Sequence, residues 1–246
     1  MIDMDRQAGQ RYLDIAIELL GQLRTAQWPA MEQAAQLIAD SLRRERPIHI
    51  FGTGHSHILA EEAYYRAGGL VQISPILFEG LMLHGSAPLS TSLERLPGLA
   101  AALLLDHPMQ SGDVLIVASN SGSNTTTVEF VEQALAQGVR VVAITSVRHA
   151  TSTEARAKSD RARLHEVANV VIDNGGLVGD AAVTIEGFAK KVAPTSTVVG
   201  AAILNAVIAQ AIELLVADGI TPQVYTSSNM SGGDDANAPW AGKVLP

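Results

Sequence analysis

The run Val114-Leu115-Ile116-Val117-Ala118 contains no polar side chain. A strand that is apolar on both faces belongs inside a parallel sheet, with helices covering it above and below. Nine small, mostly polar residues follow at once, Ser119 to Thr127, and then a helical pattern runs to about residue 137. The same order of short strand, small-residue turn and helix recurs along the chain. Strands are expected at 48–51, 71–78, 141–145 and 167–173, with a short edge strand at 184–186. Helices are expected at 58–67, 96–105 and 154–163, and a long one opens at Pro194. Strands alternating with helices at this spacing make an α/β fold with a doubly wound parallel sheet. In such sheets ligands bind beyond the carboxyl ends of the strands.

Residues 1–45 read differently. Leu13, Ile17, Leu20 and Leu23 form one helical stripe, and Met31, Ala34, Leu37, Ile38 and Leu42 form a second. Trp28-Pro29 between them predicts a corner, so residues 8–45 read as a helical hairpin. Residues 46–220 hold the α/β domain, and 221–246 form a polar C-terminal tail, expected to be a lid or frayed.

Composition narrows the function. Hydrophobic residues make up 47% of the 246, enough for a core, while aromatics are only 4%, so that core is built from Ala, Val, Ile and Leu. The net charge of -8 argues against a broad basic face for nucleic acid. No cysteine is present, which removes disulfides, thiolate nucleophiles and sulfur-ligated metals. The polar start, Met1 to Gln10, shows no secretory pattern, and a cytoplasmic protein is expected. The segment 196–217 is long enough to span a membrane, but Asn205, Gln210 and Glu213 interrupt it. A core helix is expected there, and no membrane partner.

Two loops carry the functional signal. The first is Gly52-Thr53-Gly54-His55-Ser56-His57. A dinucleotide fingerprint wants glycine where His57 stands, and a P-loop wants a Gly-Lys-Ser/Thr that is absent. The second is Ser119-Asn120-Ser121-Gly122-Ser123-Asn124, followed by Thr125, Thr126 and Thr127. One Ser, Thr or Asn suffices to cap a helix, so this loop exceeds what capping needs. Hydroxyls and amides at a helix N-terminus suit a phosphate monoester held without a cationic side chain.

Together the two loops resemble those of the SIS (sugar isomerase) family, whose members pair a glycine loop carrying a serine with a Ser-x-Ser-Gly loop. The resemblance extends over about residues 30–220, including Pro194-Thr195-Ser196-Thr197, similar to the family's closing element. It implies a flavodoxin-like doubly wound sheet, a phosphorylated sugar as ligand, and a homodimer or tetramer with its site near the subunit interface. By motif, Ser119, Asn120, Ser121, Asn124 and Thr126 would hold phosphate, and Gly54, His55 and Ser56 would line the sugar side. Many relatives carry Thr or Ser where Asn124 stands, although an amide still donates a hydrogen bond.

Isomerising an aldose to a ketose requires a base between adjacent carbons and a group that opens the ring. Glu61 or Glu62, on the helix after the glycine loop, is the expected base. His84 is the expected ring opener, because the family can carry Glu-x-x-His-Gly; here Glu79 stands further from His84-Gly85. Lys190 or Lys191 could neutralise phosphate, although a solvated pair is the stronger expectation. His55, His57 and His84 also invite a metal, but two histidines in a loop are weak grounds, and neither metal nor other cofactor is expected. The expected activity is a sugar-phosphate isomerase working through an enediol(ate). A phosphosugar lyase or etherase and a non-catalytic sensor are the alternatives.

Overall fold

The computed structural model describes residues 7–154 and 161–240. Five strands form one parallel sheet: β1 (Ile48–Gly52), β2 (Ile73–Ile76), β3 (Val114–Ala118), β4 (Arg140–Thr145) and β5 (Val170–Asp173). Their spatial order is β2-β1-β3-β4-β5. The chain steps outward from β1 to β2 and returns on the other side of β1 with β3, so the order reverses between β1 and β3. Ile48 pairs with Ile73 on one side and Val114 on the other, which leaves the strand ends nearly level.

Strand alternation divides the interior in two. Val114, Ile116 and Ala118 of β3 join Ile48, Ile50, Val142 and Ile144 on one face. Leu115 and Val117 join Phe51, Val141 and Ala143 on the other. The first face is covered by α2 (Trp28–Arg43), α3 (Ile58–Ala63) and α9 (Ser196–Ala217). The second is covered by α5 (Leu99–Asp106), α6 (Thr125–Ala136) and α8 (Leu164–Val167). Phe51 and Phe130 stack across that second layer at 4.5 Å between ring centroids. The apolar strands are therefore buried from both sides, as their composition requires.

The expected hairpin is replaced by one long helical run. α1 (Ala8–Gln22) continues through a π-helical segment, Leu23–Gln27, into α2. Backbone stays right-handed throughout, and Pro29 sits in the first turn of α2 directly after the π-segment, where the change in helical bonding accommodates its missing N–H. The π-segment also shifts the helical phase. Ile15, Ala16 and Leu19 are buried, while Leu13 and Ile17 of the expected stripe are exposed at 59% and 67%.

Other boundaries moved for local reasons. α3 stops at Ala63 because Tyr64 turns to extended backbone and Tyr65 takes a positive φ of 44°. The edge strand lies at β6 (Ala181–Val183), not at 184–186, and pairs antiparallel with β7 (Val192–Pro194). Residues 184–186 are exposed. Of the helix expected at 154–163, residues 155–160 lie outside the described residues, and 161–163 are irregular.

α9 is long and apolar enough to cross a membrane. Its Val199, Ile203, Val207, Ala211 and Leu215 are buried in the first core, against α2 and α3. A Cβ at Gly200 would lie 2.8 Å from Leu59 Cδ1, so glycine permits the close contact of α9 with α3. The tail begins by pairing Tyr225 with Gly68 and Gly69, then forms α10 (Gly233–Asn237), whose Asn237 side chain bonds both backbone groups of Thr226.

Candidate functional site

Small residues follow β1, β3 and β5, Ser146 opens a short helix after β4, and the segments after these four strands meet at one place. After β1 the chain folds straight back. A Cβ at Gly52 would lie 2.5 Å from the Ser56 carbonyl oxygen, so only glycine fits. Gly54 takes φ +56°, and Ser56 N–H donates to Thr53 O at 3.1 Å. These constraints set His55 and Ser56 at the strand end.

After β3, Ser119 N–H extends the ladder to Ile144 O, and the Ser119 hydroxyl accepts from Gly122 N–H at 3.1 Å. Gly122 has φ +58° and lies against Leu164. Asn124 holds the N-cap position of α6 without a side-chain capping bond.

Amides and hydroxyls tie the remaining turns to this loop. Asn174 Nδ2 donates to Asn120 Oδ1 at 3.0 Å, and Gly176 N–H donates to Asn174 Oδ1 at 2.8 Å. Ser146, after β4, donates to Gly176 O at 2.7 Å and caps α7 (Val147–Thr151) by accepting from His149 N–H.

The result is a cleft of about 620 Å3 beside β1 and β3, where the strand order reverses. It is lined by Thr53, Ser56, Ser119, Asn120, Ser121, Asn124, His149, Gly179 and Asp180. A smaller hollow of about 300 Å3 shares Ser56, Ser119 and Asn120, and adds His55, Asn174, Ser196 and Thr197. No Lys or Arg lines either space among the described residues.

Two long helices begin here, and they are treated differently. Asp180, with φ +66°, accepts from the backbone N–H groups of Thr195 and Ser196 at 3.1 and 2.9 Å. A carboxylate therefore occupies the N-terminus of α9. At the N-terminus of α6, Thr126 N–H donates to Glu94 O at 3.1 Å and Asn124 makes no side-chain capping bond, so the helix end turns its partial positive charge toward the cleft.

Most of the expected binding residues gather as the motifs predict. His55, Ser56, Ser119, Asn120, Ser121 and Asn124 line the site, and Gly54 shapes it. Thr126 does not take part. It is fully buried, and its hydroxyl donates to Leu93 O at 2.8 Å, tying α6 to the end of α4 (Ala87–Leu93).

The expected acid–base residues stand elsewhere. Glu62 pairs with Arg66 and accepts from Asn205 Nδ2 of α9 at 2.9 Å. Glu61 and His84 gather around His57 instead of lining the cleft. Lys190 and Lys191 lie with Arg148 in a neighbouring groove.

Asn174, His149 and Asp180 are the additions. Asn174 follows a strand and was within reach of the strand-end rule. Ser196 and Thr197 lie in the expected closing element. His149 and Asp180 carry no local signal.

Residues 11–146 match the family described as SIS domain. A UPF0309 protein of Listeria innocua is 42% identical over 226 residues, covering 92% of this chain and 91% of its own. One of Brucella canis is 43% identical over 227 residues, covering 92% of each chain. Among solved structures, a phosphoheptose isomerase from Francisella tularensis superposes with a TM-score of 0.52 at 17% identity, over 83% of this chain and 96% of that one. The phosphoheptose isomerase of Neisseria gonorrhoeae gives 0.52 at 15% identity, over 85% and 97%. Identities this low establish a shared fold. With both loops at the strand ends and this extent of matched sequence, the chain belongs to the SIS-domain family and to its UPF0309 proteins.

Proposed function

We propose that this protein is a sugar-phosphate isomerase, interconverting aldose and ketose by proton transfer through an enediol(ate). One observation carries the reading: a cleft at the strand-order reversal where Ser56, Ser119, Ser121 and Asn124 gather at the N-terminus of α6, its one carboxylate, Asp180, being engaged by the backbone of α9. That environment fits a phosphate monoester, with Ser121 and Asn124 donating from side chains and the α6 amides from the backbone. The two fold neighbours being phosphoheptose isomerases supports the substrate class.

The proton transfers fall to histidines at the cleft. His149 Nδ1 accepts from Gly179 N–H at 3.1 Å, so a neutral ring carries its proton on Nε2, the form that donates to a substrate oxygen. His55, next to Ser56, is the base that takes the proton from the carbon beside the carbonyl. The same proton returns to the neighbouring carbon, and the oxygens exchange theirs through His149. A second copy of the chain belongs to this reading, supported by the exposed Leu13 and Ile17 on one face of α1.

The test is thermal unfolding against sugar phosphates, their unphosphorylated sugars and free phosphate, followed by turnover of whichever stabilises. A ligand at one hundred times its Kd adds about 2.7 kcal/mol. Ser121→Ala is expected to raise KM roughly tenfold, and His55→Asn to lower kcat with KM little changed. Light scattering on the same sample is expected to read a dimer. A product that has lost a group would make this a lyase. Stabilisation without turnover would make it a sensor, and no stabilisation would remove the phosphosugar altogether.

A further inference from the structure

Beside the glycine loop, outside the cleft, three side chains converge. His57 ends the turn after β1 and is 3% exposed. Its Nδ1 is hydrogen-bonded to the Gly54 carbonyl. A carbonyl only accepts, so Nδ1 holds the proton, and in the neutral ring Nε2 presents a lone pair. That Nε2 is buried and makes no hydrogen bond. Opposite it, at 3.5 Å, is Oε1 of Glu61, one helical turn further on. His84, from the loop after β2, meets the His57 ring edge-on at 5.2 Å between centroids. One ligand atom from each of the three lies within 4.8 Å of the others.

A lone pair facing a carboxylate is repulsive unless positive charge lies between them. A proton on Nε2 would serve His57 and Glu61 but leaves His84 without a role in the cluster. A cation serves all three. Four bonds of about 2.0–2.1 Å in a tetrahedron put neighbouring ligand atoms about 3.4 Å apart. The His57–Glu61 separation of 3.5 Å already matches that edge. The Nδ1 bond to Gly54 is also what a ligating imidazole needs to fix its tautomer and ring orientation.

We propose that His57, Glu61 and His84 bind a divalent d-block cation of the zinc class, with the fourth position open to water. Two imidazoles and one carboxylate favour such an ion over magnesium or calcium, which take oxygen donors. Glu61 and His84 then act as ligands. Through Gly54 the ion braces the turn that carries His55 and Ser56, so loading steadies one wall of the cleft without entering it.

The test uses full-length protein stripped with chelator and titrated with Zn2+ by calorimetry, with Co2+ as a spectroscopic substitute. One Zn2+ per chain is expected, and an intense visible Co2+ band from a four-coordinate site. Glu61 and His84 are exposed, so Glu61→Gln and His84→Ala should fold, as circular dichroism would verify. Each is expected to weaken Zn2+ binding at least about tenfold, since even groups that merely orient a ligand cost that much. The chain has seven histidines, so the comparison with the variants decides. Absent Zn2+ uptake, or equal uptake by wild type and both variants, overturns the site. Neither readout involves a sugar phosphate, so the result stands apart from the isomerase reading.

Discussion

The two ends of the parallel sheet are built from opposite materials. At the carboxyl end, beside α6, the cleft is faced mostly with hydroxyls and amides, together with His149, Asp180 and the Gly179 backbone. At the amino end, Asp113 sits buried just before β3. It accepts from Gln110 N–H at 2.6 Å, and lies 3.0 Å from Arg46 Nε and 3.7 Å from His49 Nε2. Arg46 in turn bonds Ser111 O and Gln110 Oε1. The helix dipoles account for the sorting. Helices of a parallel α/β layer point their positive ends at the strand tips and their negative ends at the strand starts. Arg43 and Arg46 gather where helix carbonyls are exposed, and an anion is left to the other end. One end holds the fold together, and the other is kept open for a guest.

Four substitutions would break or sharpen that contrast. The largest effect is expected for Asp113→Ala. It strands Arg46 without its buried partner and should cost about 3–5 kcal/mol in equilibrium denaturation. The native fraction should still bind ligand as wild type does. By contrast Ser121→Ala should leave stability within about 0.5 kcal/mol, and a large loss there would erase the distinction between the ends. Gly52→Ala comes next. Its Cβ collides with the Ser56 backbone, so about 1–3 kcal/mol of stability and the ligand response should fall together. Loss of stability alone would show that the glycine turn does not shape the cleft.

The smallest effect is a pH dependence from His49. Burial lowers its pKa below the usual histidine value, and His107 lowers it further, against an opposing pull from Asp113. The unfolded chain therefore takes up this proton more readily than the folded one. Stability is retained above the ordinary histidine pKa of about 6.5 and lost as pH falls from there toward the folded value. His49→Gln should flatten that acid-side slope of the melting temperature, and an unchanged slope would assign it to other groups.

Much of this was legible from residue order alone. β3 matched its expected bounds because a strand buried on both faces has no polar residue to blur its ends. The cradle was legible because strand-end turns have one address in a parallel sheet. Thr126 was misplaced because helix phase decides which hydroxyl faces out, and its partner Leu93 comes from a distant segment. The N-terminal stripe held only in part: Leu23 is buried and Leu20 packs against the core, but the π-segment turns α1, and Ile15 and Leu19 go inward where Leu13 and Ile17 were expected. The gathering of His57, Glu61 and His84 depends on the path of the chain after β2, which no local pattern encodes.

A cleft lined without a cationic side chain has a kinetic consequence. A chain of net charge -8 repels a phosphorylated ligand at long range, and among the described residues no lysine or arginine lines the cleft to offset this. Added salt screens the repulsion over distances beyond a Debye length of about 10 Å at 0.1 M. Short hydrogen bonds and backbone dipoles inside the cleft are screened far less. Encounter should therefore quicken as ionic strength rises while residence time barely changes, the reverse of the behaviour of a phosphate site built from cations.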